Sequence, residues 1–353
     1  MSNKIKLLTG AVAAALSMGM AGQASATVFA GSAMELTNLS VAFLNANNPP
    51  APALNAVTIN SFNYTLTNTS TLNGVISAST ANCFGTPSSN NCGTAPLVLN
   101  ALAVNAPGSN TTSRTDNQVS APDNTFTWFA PNGGDWANAD SAIFTSQLTN
   151  GTLTDTDQIA QANITNATSA SANAQIQSVT GVALDFTVGD NPVNFALDFD
   201  ADIDMVTQIF GELGSVFGAQ SDAAWEVSLN QNTGGNRRVL WNPSGTFGGL
   251  GDNDCLALGV TCTETADSED LNLTIGTTVN GTTESHSPGA NTEGSMPYGI
   301  FVSGLTAGTW TLTLTALTSV SVYRVPEPAT LALLGAGLAG LGFAGRRQQR
   351  KQA

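Results

Sequence analysis

Apolar and polar residues alternate along much of this chain, which is the pattern of β-strands with one buried and one wet face. The clearest runs carry an apolar residue at every second position, at Phe62 to Leu66, Leu184 to Val188 and Trp310 to Leu314. Asn, Asp and Thr fill the positions between them. We therefore predict an all-β body, built as an antiparallel β-sandwich or jelly roll.

Two short segments have the composition of turns between these strands. Gly189-Asp190-Asn191-Pro192 predicts a hairpin that joins a strand over residues 182–188 to one over 193–203. Leu305-Thr306-Ala307-Gly308 predicts the entry to the last hairpin strand.

One segment has the 3.6-residue period of an amphipathic helix rather than the two-residue period of a strand. The prediction is a short helix from Asp204 to Phe217, with Asp204 as its N-cap. A weaker helical tendency extends from Asp155 to Ala162. The apolar residues on one face of the longer helix would be Met205, Val206, Ile209, Phe210, Leu213 and Phe217.

The first 26 residues have the organisation of a secretory signal peptide. Lys4 and Lys6 precede an apolar stretch from Leu7 to Met20, and small residues at Ala24 and Ala26 form the cleavage pattern. Signal peptidase is the processing enzyme that this pattern implies. The mature chain is therefore expected to begin at Thr27.

The other end has three parts in a fixed order. Pro326, Glu327 and Pro328 stand before 17 uncharged residues, 329–345, and four basic residues follow. Seventeen residues are the short limit for a helix that crosses about 30 Å of hydrocarbon. The basic end favours the cytoplasmic side, which places the body outside. The basic residues are Arg346, Arg347, Arg350 and Lys351.

This tail, residues 325–353, resembles the PEP-CTERM sorting signal found in exported proteins of exopolysaccharide-producing Gram-negative bacteria. The resemblance implies that an exosortase, a membrane-embedded cysteine protease, recognises Pro326, Glu327 and Pro328 and removes the tail. The chain would be held transiently in the inner membrane and then passed to the cell surface or the extracellular space. A plain C-terminal anchor is the alternative explanation of the same residues.

Between the two ends lies a body, residues 27–324, that we treat as one domain, with a cut near residues 165–173 as the alternative. It carries four arginines, no lysine and 24 acidic residues, hence a net charge of about −20. Such a charge repels phosphate, so we expect no nucleic-acid partner.

Four cysteines form two close pairs, Cys83 with Cys92 and Cys255 with Cys262. Three connectivities are possible, and two local disulfides are the simplest choice in an exported chain. Their spacings are too long for a zinc knuckle, and the single histidine cannot complete a zinc site.

Asp198, Asp200, Asp202 and Asp204 recur at every second position, so on a strand their side chains would share one face. Calcium would relieve their mutual repulsion, because it binds six to eight oxygen ligands. The spacing does not fit an EF-hand, however. A solvated acidic face is the competing interpretation, and no other cofactor is expected.

Enzyme motifs are sparse. The mature body has no lysine, one histidine and no G-x-S-x-G elbow, so we expect no enzyme activity. The expected function is a non-enzymatic protein of the cell surface or extracellular matrix, associated with exopolysaccharide or biofilm. A calcium-dependent carbohydrate-binding module, with exposed tryptophans as sugar platforms, is the first alternative. A secreted polysaccharide-active enzyme is the second.

Overall fold

The computed structural model describes residues 27–46, 56–91, 97–104, 135–143, 154–165, 172–210, 215–232, 238–246, 253–255, 260–279, 281–286, 296–326 and 338. Within these ranges nearly every residue lies in an antiparallel strand. The predicted signal peptide lies outside them. So does the predicted membrane helix over 329–345, except for Leu338, which is helical. No helix among the described residues has the length and hydropathy needed to cross a membrane.

The strands form two sheets. Sheet I has the order β13-β16-β9-β1-β7-β6-β5, and β15 extends it by pairing with β9 beyond the end of β16. Its strands are β1 (Thr27–Asn45), β5 (Leu97–Val104), β6 (Trp136–Ile143), β7 (Thr154–Thr165), β9 (Val193–Phe210), β13 (Thr261–Asp267), β15 (Thr282–His286) and β16 (Met296–Leu305).

Sheet II has the order β12-β11-β10-β17-β8-β2-β3-β4. β14 also pairs with β10, on the same edge as β11 but nearer the start of β10. Its strands are β2 (Val57–Leu72), β3 (Val75–Thr86), β4 (Ser89–Asn90), β8 (Ala172–Val188), β10 (Ser215–Gln231), β11 (Arg238–Trp241), β12 (Asn253–Cys255), β14 (Leu273–Thr277) and β17 (Gly308–Pro326). The two sheets pack in a β-sandwich-like arrangement, which confirms the predicted class in its coarser form.

The three alternating runs that predicted strands lie in β2, β8 and β17, and their apolar members point into the core. Tyr64, Phe186 and Leu312 are at most 1% exposed. Across the sheets, the ring of Phe43 on β1 lies 4.7 Å from that of Phe186 on β8. On the other side of the core, the ring of Phe199 on β9 lies 5.3 Å from that of Trp225 on β10.

A layer of buried polar side chains divides the core into two apolar clusters. Asn68 lies in this layer, and its Oδ1 accepts hydrogen bonds from Ser178 Oγ at 2.8 Å and Ser141 Oγ at 3.2 Å. Ser221 Oγ donates to the carbonyl of Gly31, at 2.8 Å. Ser141 and Gly31 belong to sheet I, whereas Asn68 and Ser221 belong to sheet II. The Ser141–Asn68 and Ser221–Gly31 bonds therefore hold the two sheets together at mid-height.

The predicted hairpin at residues 189–192 is wrong. β8 ends at Val188 in sheet II and β9 begins at Val193 in sheet I, so the turn carries the chain across the sandwich. Residues 306–307 make the same kind of crossing, from β16 to β17. The start of the last strand, β17, was predicted correctly. Its pairing in a hairpin with the preceding strand was not. Turn composition alone does not distinguish a hairpin from a crossing between sheets.

The predicted helix from Asp204 to Phe217 is also wrong, and no described residue of this segment is helical. Residues up to 210 continue β9, and residues from 215 begin β10. β9 is paired on both sides here, with β1 and with β15, and this long-range pairing outweighs the local period. The weaker helix from Asp155 to Ala162 is wrong for the same reason, since it lies in β7.

Candidate functional sites

The four aspartates of β9 lie on the outer face of sheet I, as the alternation predicted. Phe199, Ala201 and Ile203 occupy the opposite positions and are buried in the core. β9 is central in this part of the sheet, so each carboxylate has a neighbour on an adjacent strand as well as on its own.

A bulge in β1 provides one of these neighbours. The register between β1 and β9 shifts between Thr37 and Ser40, where Asn38 has a φ of 58°. This turns Asn38 so that its Nδ2 donates to Asp200 Oδ2 at 2.8 Å and its backbone N–H donates to Asp155 Oδ1 at 2.9 Å. Asp200 is therefore a structural acceptor at the bulge.

Asp198 is held from the other side, by β13 and β16. Its carboxylate accepts a hydrogen bond from the Thr265 side chain, but burial is the larger effect and raises the pKa of Asp198. The two groups meet above Gly299, where a Cβ would lie 2.1 Å from Thr265 Oγ1. Glycine at this position leaves the space that the contact needs.

Asp202 belongs to a transverse row of buried carboxylates. It is the cross-strand partner of Glu35 on β1, and Glu35 is the partner of Asp157 on β7. The three residues are 6%, 2% and 3% exposed. Burial, followed by the charges of Asp204 and Glu269, raises the pKa of Asp202 to about 6.

Sequence reasoning found one member of this row and missed two. Glu35 and Asp157 are more than 120 positions apart in the sequence, and no local pattern connects them. Their juxtaposition depends on the register of three strands, which the alternation of a single strand does not contain.

The acidic segment at residues 267–270 is held by contacts with other parts of the body. Asp267 is 6% exposed and accepts the backbone N–H groups of Ser244 and Gly245, each at 3.1 Å. Glu269 Oε1 lies 2.8 Å from His286 Nε2, and burial raises the pKa of this glutamate in spite of the histidine. His286 is the last residue of β15.

Within the described ranges, no three His, Cys, Asp or Glu side chains form a group that could hold a metal ion. Calcium at Asp198, Asp200, Asp202 and Asp204 stays a prediction. Four of the five tryptophans are buried, which removes them as sugar platforms, and Trp128 lies outside the described residues. The buried ones are Trp136, Trp225, Trp241 and Trp310.

The cysteine pairs stay predictions too, although no cysteine among the described residues is free. Cys83 is buried on β3, and its predicted partner Cys92 lies outside the described residues. Cys255 is at the end of β12, on the edge of sheet II, and Cys262 is on β13, on the edge of sheet I. A bond between the latter two would link the sheets at these edges.

The two predicted processing sites adjoin the two ends of the described body. β1 begins at Thr27, directly after the predicted signal cleavage residues Ala24 and Ala26, which lie outside the described residues. β17 ends at Pro326, the first proline of the Pro-Glu-Pro box, where it pairs with Ser215. Glu327 and Pro328 lie outside the described residues.

The geometry defines an antiparallel β-sandwich-like body that continues directly into a tail. Residues 324–348 match the PEP-CTERM protein-sorting motif, so the protein is a PEP-CTERM domain-containing protein. The motif implies export, transient anchoring in a membrane and processing by an exosortase. The chain matches none of the curated proteins and none of the solved structures with which it was compared.

Proposed function

We propose that the body of this exported protein works, after its tail has been removed, as a non-enzymatic component of the cell surface or of the exopolysaccharide matrix. The observation that carries the proposal is the direct continuity between β17 and the sorting motif. Because no spacer separates the tail from the body, the tail is suited to deliver the β-sandwich and needs no further function of its own. The acidic, lysine-free body is suited to a hydrated matrix outside the cell.

Substitution of alanine for Pro326, Glu327 and Pro328 together tests the sorting step. We expect the precursor, with its tail uncut, to accumulate in the inner-membrane fraction. Intact mass of the fractionated protein measures the cut directly. The matched control replaces Asp190, Asn191 and Pro192 in the exposed turn after β8 and should be processed normally. Normal release of the Pro-Glu-Pro variant would contradict the sorting step.

The matrix role needs a separate test, because a correctly sorted protein could act elsewhere. Cells that lack the protein should form a matrix with the same polysaccharide content and a lower elastic modulus, and the wild-type chain should restore the modulus. An unchanged modulus would contradict a structural role. Release of reducing sugar from the polysaccharide by the purified chain would contradict the proposal that it is not an enzyme.

The weaker candidate is calcium-dependent carbohydrate binding, and the buried row of Asp202, Glu35 and Asp157 is the feature that favours a cation. Against it stand the burial of four tryptophans and the lack of a metal-holding group among the described residues. Calorimetry with calcium and a glycan panel decides between the two candidates. Heat of binding that requires calcium would support the carbohydrate-binding module over the matrix component.

A further inference from the structure

The exposed large apolar side chains of the described body are gathered at one end of the sandwich. Eight such residues occur in the described ranges up to residue 326, and of these Phe84 lies away from that end. We call the other seven the apolar pole. They are Val75, Ile76, Phe210, Val216, Val279, Tyr323 and Val325, and each is between 38% and 68% exposed.

Strand pairing places these residues together. Val216 on β10 is the cross-strand partner of Val325 on β17, and Tyr323 is the partner of Gly218 two positions further. A Cβ on Gly218 would lie 2.2 Å from the Tyr323 ring, so the ring rests directly on the glycine backbone. These side chains form a continuous apolar strip on the outer face of sheet II.

The other members of the apolar pole come from sheet I, from a loop and from β3 of sheet II, at the same end of the sandwich. Phe210 is the last residue of β9, and Val279 lies in the connection between β14 and β15. The N–H of Gly281 in that connection donates to the carbonyl of Ile209, which fixes the loop beside the end of β9. Val75 and Ile76 begin β3, directly after the turn that follows Leu72.

Both ends of the body emerge at this same pole. Thr27 is the cross-strand partner of Phe210, and Pro326 is the partner of Ser215. Only four residues separate Phe210 from Ser215 along the chain, so the two sites lie close together. The opposite end of the sandwich is formed by the polar turn at Asp190 and Asn191 and by the turn before Gly308.

The short connection to the tail limits the distance between the pole and a membrane. The predicted membrane helix begins at residue 329, three residues after Pro326. Three extended residues span at most about 11 Å. The headgroup layer on one side of a bilayer is about 5–8 Å thick. With the tail in the membrane, the apolar pole is therefore at the lipid headgroups.

We propose that the apolar pole is a docking surface for the lipid headgroup and upper acyl region of the membrane. The proposal rests on the proposed sorting route, which puts the tail in a bilayer. Exposed apolar patches rimmed by polar residues mark interaction surfaces, and aromatic residues such as Tyr323 favour the bilayer interface. Contact between the apolar pole and the membrane would orient the strands of the sandwich roughly perpendicular to the membrane plane before the tail is cut.

The chemistry of the pole favours headgroups without net charge. The body has a net charge of about −20, so an anionic lipid surface repels it. Arg324, the basic residue at this pole, is 8% exposed and lies over the Phe217 ring, where it is turned away from the surface. Apolar contact is thus the attraction that the pole offers, and phosphatidylcholine vesicles are the suitable probe.

Photo-crosslinking tests the proposal with the full chain. The protein is reconstituted through its tail into phosphatidylcholine vesicles that contain a lipid with a photoactivatable group near the glycerol. We expect lipid adducts on peptides that include Phe210, Val216, Val279 and Tyr323. Changing Phe210→Ser, Val216→Ser and Val279→Ser together should lower the adducts on these peptides at least fivefold. Phe210→Ser alone should lower them in part.

The matched control is Phe84→Ser, an equally exposed apolar residue away from the pole, which should leave the adducts unchanged. Adducts spread evenly over both ends of the body would overturn the proposal, as would adducts confined to the end formed by Asp190 and Asn191. Retention on the vesicles without adducts at the pole would overturn the docking surface and leave the sorting route intact. Failure of the wild-type chain to stay on the vesicles would overturn both.

Discussion

At the scale of single residues, burial decides how Asp202 behaves. In the folded protein its pKa is about 6, against 3.8 for an exposed aspartate. Between pH 4 and pH 6 the folded state therefore binds more protons than the unfolded state. The free energy of unfolding therefore falls as the pH rises through this range. Above pH 6 the carboxylate is charged in the folded state, and its burial destabilises the fold fully.

Asp202→Asn should therefore raise the free energy of unfolding at pH 7.5, by about 1–3 kcal/mol, since one pKa unit corresponds to 1.36 kcal/mol. At pH 4, where the carboxyl of the wild-type residue is already mostly neutral in the folded state, the difference should largely disappear. Calorimetric melting across this pH range measures both effects. Asp190→Asn in the exposed turn is the control, and an equal gain from it would show that net charge, rather than burial, is the cause.

Asn68 is a second residue whose role depends on its buried surroundings. Its amide oxygen accepts hydrogen bonds from two serine hydroxyl groups, and its Nδ2 donates a hydrogen bond to the carbonyl of Ala139 at 3.3 Å. Truncation would remove these three bonds from the core, although Ser178 Oγ keeps the carbonyl of Asp140 as an acceptor at 3.3 Å. Each buried polar group left without a partner costs about 1–3 kcal/mol.

We expect Asn68→Ala to lower the free energy of unfolding by about 2–4 kcal/mol in urea titrations. Asn63→Ala, on the exposed face of the same strand, should change it by less than about 0.5 kcal/mol. Similar losses from both variants would mean that strand propensity, and not the polar layer, accounts for the result.

At the scale of elements, a two-residue turn joins β2 to β3. Asn73 and Gly74 have φ values of 49° and 82°, which is the conformation of a type I′ hairpin turn. A Cβ on Gly74 would meet nothing within 4 Å, so the cost of adding one comes from the backbone alone.

Gly74→Ala should therefore lower the free energy of unfolding by about 1–2 kcal/mol. Gly181→Ala in β8 is the matched variant, because its Cβ would have ordinary contacts with Thr65 and its φ is not positive. There the change should be neutral or stabilising by up to about 1 kcal/mol. The melting temperatures of the two variants should shift in different directions or by clearly different amounts. Equal shifts in melting temperature would refute the turn assignment.

β9 shows both how far strand patterns reach and where they stop. Its alternation correctly placed four aspartates on one face. The same strand was predicted to turn into a helix after Asp204, because Val206, Ile209 and Phe210 also fit a helical stripe. In the structure Val206 and Phe210 lie on the outer face, while Ile209 is in the core. Pairing with β1 and β15, far away in the sequence, settles the conformation of this segment.

At the scale of the whole molecule, the polar layer separates two apolar clusters, yet β1, β2, β8, β9, β10 and β17 run through both. The sandwich should therefore unfold as one unit. Leu314→Ala in one cluster and Ile209→Ala in the other should each cost about 2–5 kcal/mol and shift the same single transition. Two separate calorimetric transitions in either variant would contradict this coupling.

Local composition and the two-residue period were enough to predict several features of this protein. These are the all-β class, the buried faces of β2, β8 and β17, the shared face of the four aspartates and the sorting motif. Each is encoded within about 25 consecutive residues, so no distant contact is needed to recognise it.

Which strands are neighbours could be learned from the fold alone. In the fold, residues 189–192 and 306–307 cross between the sheets, β9 continues past Asp204, and Glu35 and Asp157 are aligned with Asp202. Thr27 and Pro326 also lie at the same pole. All of these depend on pairing between residues far apart in the chain. The free energy of that pairing comes from burying both sheet faces together, and no single segment contains it.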